Sequence, residues 1–258
     1  MATSVHPTAI LEPGAQLGDG VEVGPYAFVG SEVRLGEGCI LHHHASVVGK
    51  TEAGPGNEFF PFASIGQKSQ DLKYRGEPTL LSIGAGNRFR EFVTVNRATG
   101  MGGQTVIGSD NLFLAYAHVA HDCTVGSGCI FSNNATLAGH VRVGDHVTIG
   151  GLTAVHQFCR LGAYSMLGGC TKVVQDVPPY CLVDGNPARL RALNLIGLKR
   201  RGFSEETLQS LRRAYRLLFE EGKNLGQGIE AVEASGEETP EIVALLDFLR
   251  TSERGITR

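Results

Sequence analysis

The chain begins with a six-residue repeat that reads VHPTAI LEPGAQ LGDGVE VGPYAF VGSEVR over residues 5–34. The first column of this repeat continues to Leu167, and 26 of its 28 positions are apolar, the exceptions being Asp71 and Glu77. A second register, four residues further on, holds Ala, Val, Cys, Thr or Ser at 23 of 28 positions. A period of six fits neither the 3.6-residue period of a helix nor the alternation of a half-buried strand.

Short strands separated by turns explain the repeat, with one large and one small side chain directed inward in each hexad. This pattern is typical of the hexapeptide class of parallel β-helix. Three strands form one coil of 18 residues, so residues n and n + 18 should stack about 4.8 Å apart. We therefore predict a parallel β-helix over residues 1–186. Residues 67–82 and 98–105 lose the composition of the repeat and are predicted to bulge outward as loops.

Residues 187–258 are predicted to form an α-helical domain. Glycine serves the turns of the repeat, and most of the glycines in the chain precede this boundary. Pro187 suits the first turn of a helix that runs to about Leu198. Ser204 can cap a second helix, and Thr239-Pro240-Glu241 is typical of the start of a last one.

Composition narrows the class of protein. A net charge of −3 and 42% apolar residues are ordinary for a globular domain, so broad nucleic-acid binding is not expected. The sequence contains no apolar run near the ~18 residues of a membrane span, and its first residues lack the pattern of a secretion signal. We expect a cytoplasmic protein.

The 18-residue spacing brings a group of polar residues together. It places Gly139 directly above His121, and His140 directly above Asp122. A general base, a carboxylate that orients it and a backbone N–H for a developing oxyanion are the parts of an acyl-transfer site. We therefore predict acyl transfer at the outer wall of the β-helix.

Other interpretations of these residues stay open. His118, His121, His140 and His156 also permit a zinc site of three histidines, as in a hexapeptide hydratase. The histidines can equally be structural, in which case the flat walls of the β-helix serve as a non-catalytic binding scaffold.

Six further runs carry a resemblance to a known family. They read QDLKY (70–74), AHVAHDC (117–123), NNATLAGHV (133–141), AVHQFC (154–159), QDVPPY (175–180) and GLKRRGF (197–203). The chain resembles, over nearly its whole length, the acyl-[acyl-carrier-protein]:UDP-N-acetylglucosamine O-acyltransferases, which perform the first step of lipid A synthesis. The resemblance implies a left-handed β-helix, a homotrimer with sites between subunits, acyl carrier protein and UDP-N-acetylglucosamine as partners, and no cofactor or metal.

The resemblance also implies roles for individual residues. His121 would deprotonate the sugar 3-hydroxyl, Asp122 would orient His121, and the Gly139 N–H would stabilise the oxyanion. A glycine at position 169 implies a longer 3-hydroxyacyl donor. Positions matching substrate contacts, some of them from a neighbouring subunit, are Gln70, Asp71, Lys73, His118, His140, Gln157, Asn194, Arg200 and Arg201.

Two positions depart from the family pattern. Asn96 stands where the best-known members have a histidine, and Ile196 stands where they have a glutamate. The second change removes a polar contact near the nucleotide. The two departures leave the mode of uridine recognition open, and a 3-amino sugar acceptor, which would give an amide, stays open as an alternative.

Overall fold

A computed structural model describes residues 2–258, in which the hexads form short parallel strands arranged in three sheets. The first sheet contains β1 Ser4–Val5, β4 Glu22–Val23, β7 Ile40–Leu41, β10 Glu58–Phe59, β13 Arg88–Phe89, β16 Leu112–Phe113, β19 Ile130–Phe131, β22 Thr148–Ile149, β25 Met166–Leu167, β27 Cys181–Asp184 and β28 Arg189–Leu193. The second contains β2 Ile10–Leu11, β5 Phe28–Val29, β8 Ser46–Val47, β11 Ser64–Gln67, β14 Thr94–Asn96, β17 His118–Val119, β20 Thr136–Leu137, β23 Ala154–Val155 and β26 Lys172–Val173. The third contains β3 Gln16–Leu17, β6 Arg34–Leu35, β9 Thr51–Ala53, β12 Leu80–Ile83, β15 Gln104–Ile107, β18 Thr124–Val125, β21 Arg142–Val143 and β24 Arg160–Leu161.

The chain visits the three sheets in turn, so each circuit is one coil of a left-handed parallel β-helix, and the predicted fold class is confirmed. Large residues of the apolar register fill the interior. The rings of Phe59, Phe89, Phe113 and Phe131 stack in successive coils with centroids 4.6–5.2 Å apart. All four side chains are fully buried. The core therefore runs along the axis as columns of like residues.

The spacing between stacked residues is not constant along the helix. In most coils residue n pairs with residue n + 18, as His118 does with Thr136. Glu58 instead pairs with Arg88, and Arg88 pairs with Leu112. The predicted spacing of 18 was therefore wrong for these two coils. The first of them is longer by two hexads and the second by one.

Two insertions account for the longer coils: residues 68–79 between β11 and β12, and residues 97–103 between β14 and β15. Both lie at the corner between the second and third sheets. The loops predicted at residues 67–82 and 98–105 each extended too far, into β12 and β15 respectively. Because the coils lengthen by whole hexads, the register resumes in phase after each insertion. Its positions inside the insertions do not belong to the core: they are Asp71, Glu77 and Met101, of which Met101 is 75% exposed.

The remainder of the chain is helical and packs on the last coils. Its helices are α1 Leu195–Arg200, α2 Glu205–Tyr215, which continues as a π-helical turn Arg216–Glu220, α3 Leu225–Ala234 and α4 Pro240–Arg250. Buried leucines of α2 and α4 share a second core with Tyr180 and Cys181 of the β-helix. No helix in the described part of the chain, residues 2–258, is long and apolar enough to cross a membrane.

The helix predicted from Pro187 is wrong at its start. Residues Arg189–Leu193 form β28, which pairs antiparallel with β27. Asn194 then caps α1, because its Oδ1 accepts a hydrogen bond from the Gly197 N–H at 3.2 Å. The cap predicted at Ser204 is confirmed, since Ser204 Oγ accepts from the Thr207 N–H at 3.1 Å.

Candidate active site

The predicted catalytic residues lie together at one corner of the β-helix, where β17 of the second sheet leads into β18 of the third. Asp122 and His140 occupy the same corner position in successive coils, and each has a φ of +60°. The Asp122 N–H donates to Thr105 Oγ1 at 2.9 Å, which holds this left-handed turn. His121, immediately before the corner, therefore directs its side chain to the outer wall.

His121 and Asp122 form a close pair. His121 Nδ1 lies 2.8 Å from Asp122 Oδ2, and the His121 side chain is 13% exposed. A carboxylate only accepts hydrogen bonds, so Nδ1 carries the proton and Nε2 of the neutral ring keeps a lone pair. This is the tautomer that a general base requires.

Gly139 lies against the His121 ring, as the 18-residue spacing predicted. A Cβ atom built on Gly139 would come within 2.4 Å of His121 Cε1 and 2.6 Å of His121 Nε2. No side chain fits there without moving the imidazole. Among residues 2–258 the Gly139 N–H has no protein acceptor, whereas the next N–H, that of His140, is bonded to the His121 carbonyl oxygen. The site thus pairs a base with a free donor.

His140 completes the group at the corner. Its Nε2 lies 3.8 Å from Asp122 Oδ2, and its ring meets the His121 ring edge-on with centroids 5.3 Å apart. The His140 ring also stacks on Phe158 of the next coil, with centroids 4.7 Å apart. Sequence analysis missed Phe158, although the spacing of 18 from His140 pointed to it.

The longer insertion brings Asp71 to the same corner. Asp71 Oδ2 lies 4.0 Å from His121 Nε2. The Lys73 N–H donates to Asp71 Oδ1 at 2.8 Å, and this hydrogen bond holds the pKa of the Asp71 carboxyl below its usual value. Gln70 and Lys73 are exposed beside it. A small polar group of a ligand placed between Asp71 and His121 would meet a carboxylate on one side and a base on the other.

His118 lies on β17, one strand residue away from the corner. Its Nδ1 is 2.7 Å from Thr94 Oγ1 on the coil below. Burial lowers the pKa of His118, and His121 lowers it further. His118 is therefore a neutral hydrogen-bonding residue beside the base.

Other predicted substrate residues lie elsewhere in the chain. Asn194 donates through Nδ2 to the Tyr164 carbonyl oxygen at 2.9 Å, and Arg201 donates to the Gly128 carbonyl oxygen at 3.0 Å. Both acceptors lie at the corner between the third and first sheets, away from His121. Arg200 and Gln157 are exposed, the latter two residues beyond β23. One chain therefore does not bring all the predicted residues together.

Three further positions bear on specificity. Gly169 is exposed, and a Cβ atom there would meet the Gly151 carbonyl oxygen at 3.4 Å, an ordinary contact. Asn96 is buried and donates to the Lys68 carbonyl oxygen at 3.0 Å, so it supports the longer insertion. Ile196, on α1, is 69% exposed.

A metal ion is chemically conceivable at the corner. One ligand atom each of His121, Asp122 and His140 lies within 4.8 Å of the others. Two imidazoles and a carboxylate suit zinc. A bound ion at His121 Nδ1 would replace the 2.8 Å hydrogen bond to Asp122, so metal binding and the base geometry are competing uses of the same atoms.

The β-helix fold and the arrangement of His121, Asp122 and Gly139 at its corner define a hexapeptide-repeat transferase. Residues 104–139 match the bacterial transferase hexapeptide repeats, and residues 176–257 match the family described as UDP N-acetylglucosamine O-acyltransferase, domain 2. Solved structures agree over nearly full length. The chain is 44% identical to LpxA from Acinetobacter baumannii, with 98% of this chain and 99% of that one covered and a TM-score of 0.93.

Two more structures give the same result. LpxA from Bacteroides fragilis, described as a UDP-N-acetylglucosamine acyltransferase, is 39% identical over 98% of this chain and all of that one, with a TM-score of 0.96. The Moraxella catarrhalis UDP-N-acetylglucosamine O-acyltransferase is 41% identical over 98% of this chain and 99% of that one, with a TM-score of 0.94. This chain belongs to the UDP-N-acetylglucosamine O-acyltransferase family.

Proposed function

We propose that the protein transfers a 3-hydroxyacyl group from acyl carrier protein to the 3-hydroxyl of UDP-N-acetylglucosamine, the first step of lipid A biosynthesis. The observation that carries this proposal is the His121 ring held between the Asp122 carboxylate and the Gly139 backbone. Membership of the family supports acyl transfer over a zinc hydratase or a non-catalytic scaffold.

The proposed reaction uses one base and one backbone donor. His121 Nε2 takes the proton of the sugar hydroxyl as its oxygen attacks the thioester carbonyl carbon. The Gly139 N–H stabilises the oxyanion that forms, and Asp122 stabilises the imidazolium. Collapse of the adduct breaks the carbon–sulfur bond, and His121 returns its proton to the leaving thiolate. No metal or cofactor takes part in this scheme.

The acceptor would be held by the longer insertion and the neighbouring corner. Asp71, 4.0 Å from His121 Nε2, is suited to hold a sugar hydroxyl near the base. Gln70, Lys73, His118, His140 and Gln157 are the remaining acceptor contacts in this proposal. A 3-amino acceptor would use the same chemistry and give an amide.

The proposal needs more than one copy of the chain. Asn194, Arg200 and Arg201 are proposed to contact the nucleotide, yet the contacts of Asn194 and Arg201 within one chain are at another corner from His121. A homotrimer would supply them from a neighbouring subunit. An exposed aromatic ladder at the corner between the first and second sheets is suited to the contact between copies: Tyr26, His44, Phe62, Phe92 and Tyr116.

The donor would dock on the helical domain. Arg191, Arg212 and Arg216 surround one recess beside α2, and acyl carrier proteins are acidic. The small residue at Gly169 leaves room for a longer acyl chain. Because the carrier thioester and the nucleotide sugar are both cytoplasmic metabolites, we propose a cytoplasmic location.

Mass spectrometry of the reaction products tests this function. The protein is incubated with 3-hydroxyacyl carrier thioesters of several lengths and with either UDP-N-acetylglucosamine or its 3-amino analogue. We expect a product heavier than UDP-N-acetylglucosamine by one acyl group. Acylation of the amino analogue alone would redirect the proposal to an amide, and no acylation of either acceptor would contradict it. Elemental analysis of the same sample for stoichiometric zinc tests the hydratase alternative.

A further inference from the structure

The two insertions stack beneath the catalytic corner. Coils without an insertion pass from the second sheet to the third in a few residues, as between β17 and β18. The β-helix therefore closes without residues 68–79 and 97–103. The two insertions lie in consecutive coils and project at the same corner as Asp122. The coil that contains Asp122 follows directly after them. Their contacts with each other and with the corner are consequently not required by the repeat.

The shorter insertion holds the carboxylate of the catalytic pair. The Thr99 backbone N–H donates to Asp122 Oδ2 at 3.1 Å. The same oxygen accepts the hydrogen bond from His121 Nδ1 at 2.8 Å. A carboxylate oxygen bound from two directions has a fixed position, and through it the plane of the imidazole is fixed as well.

The longer insertion is bound to the shorter one through two hydroxyl groups. Ser69 Oγ lies 2.7 Å from Thr99 Oγ1, and Ser69 Oγ also accepts a hydrogen bond from the Asp71 N–H at 3.1 Å. Ser69 is only 5% exposed, so water replaces these hydrogen bonds poorly. The backbone of the residue proposed to hold the acceptor is thus bonded to the insertion that holds Asp122.

These contacts close a ring. It runs from the Asp71 carboxylate, across 4.0 Å to His121, through Asp122 to the Thr99 backbone, and back through the two hydroxyls of Thr99 and Ser69 to Asp71. An acceptor between Asp71 and His121 would occupy the one gap in this ring. The two hydroxyls hydrogen-bond to each other and to the Asp71 N–H, and neither bonds to the Asp71 carboxylate or to the His121 ring.

We propose that Ser69 and Thr99 are positioning residues that couple acceptor binding at Asp71 to the placement of the His121–Asp122 pair. This inference rests on the proposed function, because it takes Asp71 as an acceptor contact and His121 as the base. An acceptor that orders Asp71 would, through Ser69 and Thr99, also order Asp122. If the coupling exists, a substitution at Ser69, which does not touch the catalytic pair, must alter kcat as well as KM.

The test compares Ser69→Ala, Thr99→Val and the double variant. The net free energy of one hydrogen bond corresponds to about a fivefold change in a rate or equilibrium constant. Each single variant should therefore lower kcat and raise the acceptor KM, so that kcat/KM falls roughly fivefold or more. Ser69→Ala breaks the bridge to Thr99 and also the hydrogen bond from the Asp71 N–H, so the double variant should lose little more than Ser69→Ala alone. Thr99→Ser, which keeps the hydroxyl and the backbone N–H, should restore most of kcat.

Two further measurements separate coupling from a general loss of structure. Thr207→Val is the matched control, because it removes a hydroxyl pair (Ser204 Oγ to Thr207 Oγ1, 3.0 Å) on the helical domain and should leave both constants unchanged. Hydrogen–deuterium exchange of residues 97–103 should become faster in Ser69→Ala, because the shorter insertion loses the hydrogen bond between Ser69 Oγ and Thr99 Oγ1 that ties it to the longer one.

An unchanged kcat in Ser69→Ala would overturn the coupling, as would losses that multiply in the double variant. Unchanged exchange of residues 97–103 in Ser69→Ala would overturn it too. Failure of the proposed function has a different signature: neither acceptor would be acylated by the native protein, while exchange in Ser69→Ala would still show the two insertions to be linked.

Discussion

The imidazole of His121 lies across the backbone of Gly139, so closely that a Cβ atom at residue 139 would come within 2.4 Å of Cε1. This contact joins two consecutive coils and ties the base to the N–H proposed to receive the oxyanion. The absence of a side chain at Gly139 is therefore a condition for the position of the ring.

Gly139→Ala should consequently lower turnover by about 10²-fold. The new methyl group forces the His121 ring to rotate away from Asp122, and a displacement of about 1 Å at a reacting group has an effect of this size. Steady-state kinetics measures the loss. Thermal unfolding should shift by less than about 4 °C, because the displaced ring lies on the outer wall and does not belong to the apolar core. Gly226→Ala, where the Cβ atom meets only Asn224 Oδ1 at 3.4 Å, is the control and should retain full activity.

His118 should make stability depend on pH. Because burial lowers the pKa of His118, the unfolded chain binds a proton at a higher pH than the folded protein does. The stability that His118 contributes is complete above its unfolded pKa of about 6.5 and is lost as the pH falls through the lowered folded value. Thermal unfolding between pH 7.5 and 5 should show a smaller decrease for His118→Asn than for the native protein. An identical decrease in both would contradict this, and His6→Asn, an exposed control, should follow the native curve.

Mixed trimers should regain activity from two inactive variants. If Arg201 acts on the site of a neighbouring subunit, some sites in a mixture of His121→Ala and Arg201→Ala chains contain both native residues. Co-expression with two different affinity tags, followed by a rate measurement on doubly tagged trimers, should give a clear fraction of native activity. Native mass spectrometry should show three chains per particle. Persistent inactivity of the mixed trimers would place Arg201 in its own subunit's site.

Gly169→Met should shift donor preference toward shorter acyl chains. In the proposed groove a long side chain at residue 169 would fill space that the end of the acyl chain needs, whereas a Cβ atom alone makes only an ordinary contact with Gly151. Competition between carrier thioesters of two lengths, read by mass spectrometry, measures the ratio of kcat/KM. Gly169→Ala should leave the ratio nearly unchanged. An unaltered ratio in Gly169→Met would mean that the acyl chain runs elsewhere.

Much of this site could be predicted from the 18-residue spacing of the repeat. Because parallel coils stack residue on residue, the spacing of 18 correctly predicted that Gly139 lies beside His121 and His140 beside Asp122. The same spacing fails for Ser69 and Thr99. Their separation in sequence is 30, the length of the coil that contains the longer insertion, and a spacing of 18 instead pairs Ser69 with Asn87.

The helical domain shows a different limit of prediction from sequence. A proline in a first-turn position predicted a helix from Pro187, but pairing with β27 outweighs that local preference and makes Arg189–Leu193 a strand. Helix α3 was missed, although Asn224 and Gln227 form a capping box at its start. Local signals identify caps well; tertiary pairing decides whether the chain between them is helix or strand.

The most direct test of the central claim is the single-turnover rate of His121→Ala with acyl carrier thioester and UDP-N-acetylglucosamine. A lost general base should lower this rate by at least ~10²-fold, while the oligomer and the unfolding temperature stay as in the native protein. His6→Ala, which removes an exposed imidazole far along the chain, should turn over normally. Near-native turnover in a correctly assembled His121→Ala protein would contradict the assignment of His121 as the base.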